Sequence, residues 1–265
     1  MTRRIALVIE YEGTSFAGFQ RQANAPSIQE ELENAIESLT TRRPTVHGAG
    51  RTDAGVHALG QVAAFDAETA LPIERMAPGL NHYLHEQIAV RAAYEANPAF
   101  DPRRNALARV YRYRIIESRQ PSPMRRRFTH RIARALDVES MNAAAASLIG
   151  ERDFRAFSGP QPSGKSYRRR MARAEAWRDG DEVAVEFEAN AFLPQQVRRT
   201  VAALAKVGLG ETSREEFEEM LASGTQGAAE TVFPARGLTL REVRYAGFPP
   251  ENDETATDNR THQTG

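Results

Sequence analysis

The chain has no cysteine among its 265 residues, which excludes disulfides, thiolate nucleophiles, iron-sulfur clusters and zinc sites built on sulfur. Any nucleophile must be oxygen or nitrogen. Of the six histidines, His82 and His85 are the only close pair that stands away from a motif, and no carboxylate lies at a ligand-like spacing beside them. No metal centre is expected. No apolar run approaches the roughly 18 to 20 residues that a membrane span needs. The start, MTRRIALVIE, reads directly into a strand rather than a secretion signal, so a cytoplasmic location and no membrane partner are expected. Net charge is missing as well: 35 Lys and Arg balance 35 Asp and Glu, an average that taken alone argues against a nucleic-acid partner.

The average conceals two clusters. Between Pro102 and Ala135 stand eleven arginines (103, 104, 109, 112, 114, 119, 125, 126, 127, 131 and 134) against the single acid Glu117, locally plus ten. Lys165, Arg168, Arg169, Arg170 and Arg173 follow a Gly/Pro/Ser-rich loop from Ser158 to Gly164. One such run is ordinarily a solvated face. Two runs dominated by Arg, whose planar fork pairs with phosphate and stacks on bases, favour a polyanionic partner.

With 41% hydrophobic and 26% charged residues, the chain suits one large domain or two packed lobes with a real core. Arg4–Glu10 reads as a strand, and Ser27 with Glu30 opens a helix through a capping box, with Ile28, Leu32, Ile36 and Leu39 as its buried stripe. Short strands at Thr45–His47 and Gln61–Phe65, a helix over Pro72–Leu84 and a strand over Ile88–Ala93 complete a β-α-β-β-α-β order. The second half repeats this grammar. Ala108–Ile116 alternates Tyr111, Tyr113 and Ile115 with Arg112 and Arg114. A helix over Val138–Leu148 follows, then a hairpin turned at Asp179-Gly180, a helix opened by Pro194 and running to Val207, a capping box at Ser213 and Glu216, and a strand over Leu238–Tyr245. The expected fold is α+β, two ferredoxin-like lobes with antiparallel sheets flanking a central basic cleft: residues 1–105, residues 106–248, and a disordered polar tail over 249–265.

The stretch that carries chemistry is Gly48-Ala-Gly-Arg-Thr-Asp53-Ala-Gly-Val-His-Ala58. Small residues surround one arginine and one carboxylate, so the backbone can turn freely and a bulky ligand can approach. Taken singly, an Asp in such a turn is most often a local Asx-turn residue, and His57 beside it reads as structural.

All eleven positions of GAGRTDAGVHA resemble the signature of the tRNA pseudouridine synthase A family, which acts on uridines 38 to 40. The resemblance extends to Tyr11-Glu-Gly, Gly18-Phe-Gln-Arg-Gln, Ser27-Ile-Gln-Glu, Ala108-Arg-Val-Tyr111-Arg-Tyr, Asn190-Ala-Phe, Val197-Arg198 and Gly237-Leu, in order and spacing. It implies Asp53 as nucleophile, Tyr111 as the ring beside the bound uracil, and Arg198 as the partner of Asp53. It further implies Arg51, Gln20, Arg21 and Leu240 as substrate contacts, no cofactor or metal, and a homodimer that grips the anticodon arm of tRNA. The sequence departs from the family at Phe19, at Pro194-Gln195-Gln196 and at Thr239, positions that bear on how flanking RNA is held.

That resemblance suits chemistry with no net redox change, for which one nucleophile and one base suffice. The carboxylate adds either to C6 of the base or to C1′ of the sugar, and the sequence does not choose. Tyr111 can stack on the flipped uridine and later take the C5 proton. Two other classes compete. A non-catalytic RNA-binding or chaperone protein would have no use for Asp53. A metal nuclease would need clustered carboxylates and a glycosidase a carboxylate pair, where this loop has one.

Overall fold

The computed structural model describes residues 2–249. The sequence reading of a disordered tail falls, beyond Pro249, outside the described residues. The described residues divide into two compact units, one made of Thr2–Leu107 together with Glu242–Pro249, the other of Ala108–Arg241.

In the first unit, β1 (Thr2–Tyr11), α1 (Ile28–Thr40), β2 (His47–Gly48), β3 (His57–Glu68), α2 (Ile73–Tyr83) and β4 (Ile88–Glu95) follow one another. The strand order is β4-β1-β3, with β2 on β3, and every pairing is antiparallel. This is the ferredoxin-like arrangement. Helix α1 starts where Ser27 accepts from the Glu30 amide at 3.3 Å, a cap worth about 1 kcal/mol. It buries Ile28, Leu32 and Ile36 completely, each contributing about 1.5–3 kcal/mol. Leu39 is only half-buried.

The first unit closes on itself through its last segment. Leu107 donates to the Arg244 carbonyl at 2.8 Å, and the Tyr245 hydroxyl donates to the Pro102 carbonyl at 2.6 Å. The rings of Tyr94, Phe100, Tyr245 and Phe248 meet at 5.0–5.5 Å. These contacts explain why the chain from Glu242 returns to the first unit.

The second unit contains β5 (Ala108–Glu117), β6 (His130–Ile132), α3 (Val138–Ala145), β7 (Gly150–Asp153), β8 (Arg168–Asp179), β9 (Glu182–Ala189), α4 (Gln196–Gly208), α5 (Arg214–Ala222) and the 238–241 part of β10 (Leu238–Arg244). Here the order is β10-β5-β9-β8, the same ferredoxin-like pattern, with β7 added at the edge and β6 parallel to the end of β5. The β8–β9 hairpin closes Asp179 against Glu182. Gly180 has φ of +61°, so the two-residue loop has glycine at the first central position, as a II′ turn requires. Helix α4 begins two residues later than expected, because Gln195, not Pro194, is the N-cap and takes a left-handed φ of 59°. Val197, Val201 and Leu204 face the core as the pattern indicates.

The two units seal an outer strand by the same device. In the first, the Asn81 amide both donates to and accepts from the Val90 backbone, at 2.9 and 2.7 Å. In the second, Asn142 does the same to Ala176, at 2.8 Å both ways. Each amide stands in for a missing strand and blunts an edge.

Candidate active site

Asp53 lies between β2 and β3 of the first unit, half-exposed, with exposed Arg51 on one side and buried Thr52 and Val56 around it. Val56 donates to the Asp53 carbonyl at 3.2 Å and Gly55 takes φ of +77°, a tight turn that only glycine allows cheaply at its third position. Strand pairing fixes the start of the loop, where Ala49 donates to the Val62 carbonyl at 2.8 Å.

The segment Gly13–Phe19 packs directly against this loop. Phe19 donates to the Thr52 carbonyl at 3.1 Å and Gly55 to the Phe16 carbonyl at 3.3 Å. A side chain at Gly18 would meet the Thr52 oxygen at 2.6 Å, and one at Gly13 would meet the Val56 oxygen at 2.0 Å. Phe19, one of the departures from the family pattern, is buried and its ring lies over Gly48. His57 is buried and its Nδ1 accepts from the Gly13 amide at 3.1 Å. That bond ties the start of β3 to the segment after β1.

Beneath the loop sits a buried polar group that sequence reasoning missed. The Tyr11 hydroxyl bonds to Thr52 Oγ1 at 2.9 Å. Gln61 Nε2 donates to the Gly50 carbonyl at 3.0 Å and approaches the Tyr11 hydroxyl at 3.4 Å. Burial pushes the Tyr11 phenol up to about 12, a rise that its bonds to Thr52 and Gln61 oppose. Glu33 is another missed residue. It is 1% exposed, accepts from Arg21 at 3.0 Å, Gln29 at 2.8 Å and the Val46 amide at 3.1 Å, and so ties the Gln20-Arg21 segment to the entry of β2. Gln20 and Arg21 are exposed.

The remaining sequence candidates belong to the second unit. Tyr111 is 8% exposed on β5, opposite Phe187 of β9, and Phe192 meets its ring edge-on at 5.1 Å. Phe192 follows Asn190, whose side chain accepts from the Arg170 and Ala191 amides at 3.0 and 2.9 Å, so Asn190-Ala-Phe is a turn built to present that ring. Arg198 is half-buried in the first turn of α4 and donates through Nε to the Phe233 carbonyl at 2.6 Å. Leu240 is fully buried.

The arginine clusters are far less free than the sequence implies. Acids distant in the chain return to meet them: Arg112 pairs with Glu186 at 2.9 Å, Arg114 with Glu182 at 2.7 Å and Arg134 with Glu211 at 2.6 Å. Arg173 also pairs with Glu186. Arg125 forks onto Asp181 at 2.6 and 2.8 Å. Glu186 is 2% exposed, and Arg112 covers Trp177 at 4.8 Å. The reading of these arginines as one uncompensated positive run is therefore corrected. Arg126, Lys165 and Arg170 are exposed and form no ion pair among the described residues. Among the described residues no helix is long and apolar enough to cross a membrane, and no three His, Asp or Glu side chains gather as metal ligands would.

The chain thus has two ferredoxin-like units, a carboxylate on a small-residue loop and exposed cations. The family profile described as "tRNA pseudouridine synthase" matches residues 7–103 and 144–246. The chain is 41% identical over 263 residues, 99% of both chains, to "tRNA pseudouridine synthase A" of Myxococcus xanthus. It is 39% identical over 92% of its length to proteins of the same name from Geotalea uraniireducens, covering 100% of that chain, and Maricaulis maris, covering 98%. The chain belongs to the tRNA pseudouridine synthase family.

Proposed function

We propose that this isomerase, which turns uridine in tRNA into pseudouridine, acts on the anticodon stem-loop at uridines 38 to 40 with Asp53 as its nucleophile and without a cofactor or metal. One observation carries the assignment: Asp53 is half-exposed on a turn whose ends, Thr52 and Val56, are buried and bonded. A group held this way is presented for use, since a positioned nucleophile converts binding into rate. The isomerisation breaks the N1–C1′ bond, turns the base and forms C5–C1′, with the C5 proton lost and N1 protonated. Asp53 forms a transient bond either to C6 of the base or to C1′ of the sugar, and that bond breaks again by the time product leaves, which returns the free carboxylate. Tyr111, its ring fixed by Phe192, stacks on the uracil and takes the C5 proton. Arg198 pairs with the Asp53 carboxylate.

Arg51, Gln20 and Arg21 contact the RNA backbone, and Leu240, fully buried, contributes packing beneath the base. The working protein is a cytoplasmic homodimer, which light scattering tests directly: a monomer at micromolar concentration excludes it. Incubation with an unmodified tRNA transcript, carbodiimide labelling and primer extension test the activity. Stops at 38 to 40 are expected. Stops elsewhere overturn the anticodon assignment, and tRNA binding with no stops turns the reading to an RNA-binding protein.

A further inference from the structure

We propose that Tyr11, Thr52 and Gln61 form a buried positioning triad that fixes the backbone on both sides of Arg51 and thereby aims the Asp53 carboxylate. This rests on the reading of Asp53 as nucleophile.

The triad grips the loop at two points. Gln61 Nε2 holds the Gly50 carbonyl at 3.0 Å, and the Tyr11 hydroxyl holds Thr52 Oγ1 at 2.9 Å. Gln61 Nε2 has only hydrogens to give, so the Tyr11 oxygen accepts from it at 3.4 Å and its own proton goes to Thr52. The three side chains are 3%, 6% and 0% exposed. Water does not compete for these bonds, and in the low-dielectric interior each is stronger and more directional than on a surface.

The strand geometry is built to bring the three together. Ile9 pairs with Gln61, but Tyr11 pairs with Ala58 instead of Leu59, a bulge that puts one extra residue on β3. Bulges beside active sites commonly re-aim side chains, and this one sets Tyr11 and Gln61 under Gly50 and Thr52. Gln61 is buried, and its Nε2 reaches both the Gly50 carbonyl and the Tyr11 hydroxyl, which an apolar side chain of the same size would leave without that donor. Its value is the grip of Nε2 on the loop.

Single-turnover and steady-state kinetics on a tRNA transcript test the triad, with tRNA affinity and thermal midpoint measured on the same preparations. Tyr11→Phe keeps the ring and removes only the hydroxyl. Its kcat is expected to fall about 10- to 100-fold, the scale of an ångström-sized misplacement, while KM and affinity stay within about twofold. Thr52→Val should fall by a similar factor, Thr52→Ser should restore most of the rate, and Tyr11→Phe with Thr52→Val should be no worse than the poorer single variant, since the Tyr11–Thr52 bond is lost in all three. A lower thermal midpoint with unchanged kcat, or additive losses in the double variant, overturns the triad. Asp53→Asn is the parallel control. If it is inactive while Tyr11→Phe turns over normally, only the triad fails. If it is active, the site reading fails and the triad with it.

Discussion

Arg198 donates through Nε to the Phe233 carbonyl at 2.6 Å, and the ring of Phe233 lies between Tyr113 and His130, with centroids at 5.8 and 4.5 Å. The neighbouring Pro234 carbonyl accepts from the Tyr113 hydroxyl at 2.8 Å, and Gly237 lies so close to the Tyr113 ring that a Cβ there would meet it at 2.5 Å. The carbonyl that aims Arg198 is thus fixed by aromatic packing one residue away. Phe233→Ala is expected to lower kcat about tenfold with tRNA affinity within about threefold, because a loosened guanidinium costs alignment more than binding. An affinity loss as large as the rate loss would instead make Arg198 an RNA-binding group.

His130 gives the fold a pH dependence. Burial, then Arg236 and Arg131, hold its imidazole at about 4, below the usual 6.5, and its Nδ1 is buried without a hydrogen-bond partner. The unfolded chain takes up this proton near pH 6.5, the folded chain only near 4, so acidification across that window favours unfolding. The thermal midpoint should fall as pH drops from 6.5 to 4, and His130→Gln should flatten that slope. A slope unchanged by the substitution contradicts the assignment.

The arginine clusters predict a divided salt response. Lys165 and Arg170 are exposed and form no ion pair among the described residues, whereas Arg125 is forked onto Asp181. Replacing Lys165 and Arg170 with Ala should reduce the slope of log affinity against log salt by about one per lost phosphate contact. Arg125→Ala should leave the slope alone and lower the thermal midpoint slightly. The reverse pattern would move the RNA footprint to the other cluster.

Glycine positions around the Asp53 loop separate packing from access. Gly18 has φ of +105° and a Cβ there would stand 2.6 Å from the Thr52 oxygen, while a Cβ at Gly50 would meet nothing within 4 Å. Gly18→Ala is therefore expected to cost about 1–3 kcal/mol of stability and to depress kcat by displacing Thr52 and Asp53. Gly50→Ala should keep the parental thermal midpoint. Equal stability for the two variants, read by thermal unfolding, would rule out this packing.

What the sequence made legible was what local rules control. The cap at Ser27, the capping box at Ser213 and Glu216, the stripes of α1 and α4 and the hairpin at Gly180 all follow from neighbours in the chain. The eleven-residue loop stood out because all its positions resemble a family signature, since one carboxylate among small residues reads by itself as an ordinary turn. Pairing partners far apart were illegible. Gly150–Asp153 carries no strand pattern and becomes β7 only by pairing with Arg168–Met171. β3 runs from His57 to Glu68, far beyond Gln61–Phe65, because much of it is buried on both faces and shows no alternation. Arg112 and Arg125 seemed free because Glu186 and Asp181 lie more than fifty residues away. Glu33 and Gln61 looked like ordinary polar residues until the fold buried them, and Tyr11 stood out only as part of a family motif.

The central claim is that the Asp53 carboxylate performs the attack, and pseudouridine formation by Asp53→Asn under single-turnover conditions tests it most directly. The substitution preserves size and the capacity for an Asx turn but replaces the nucleophile with a neutral amide. Normal folding, near-normal tRNA binding and a rate reduced by several orders of magnitude are expected. Substantial turnover by an Asn variant free of host enzyme and of deamidation back to Asp would contradict the account.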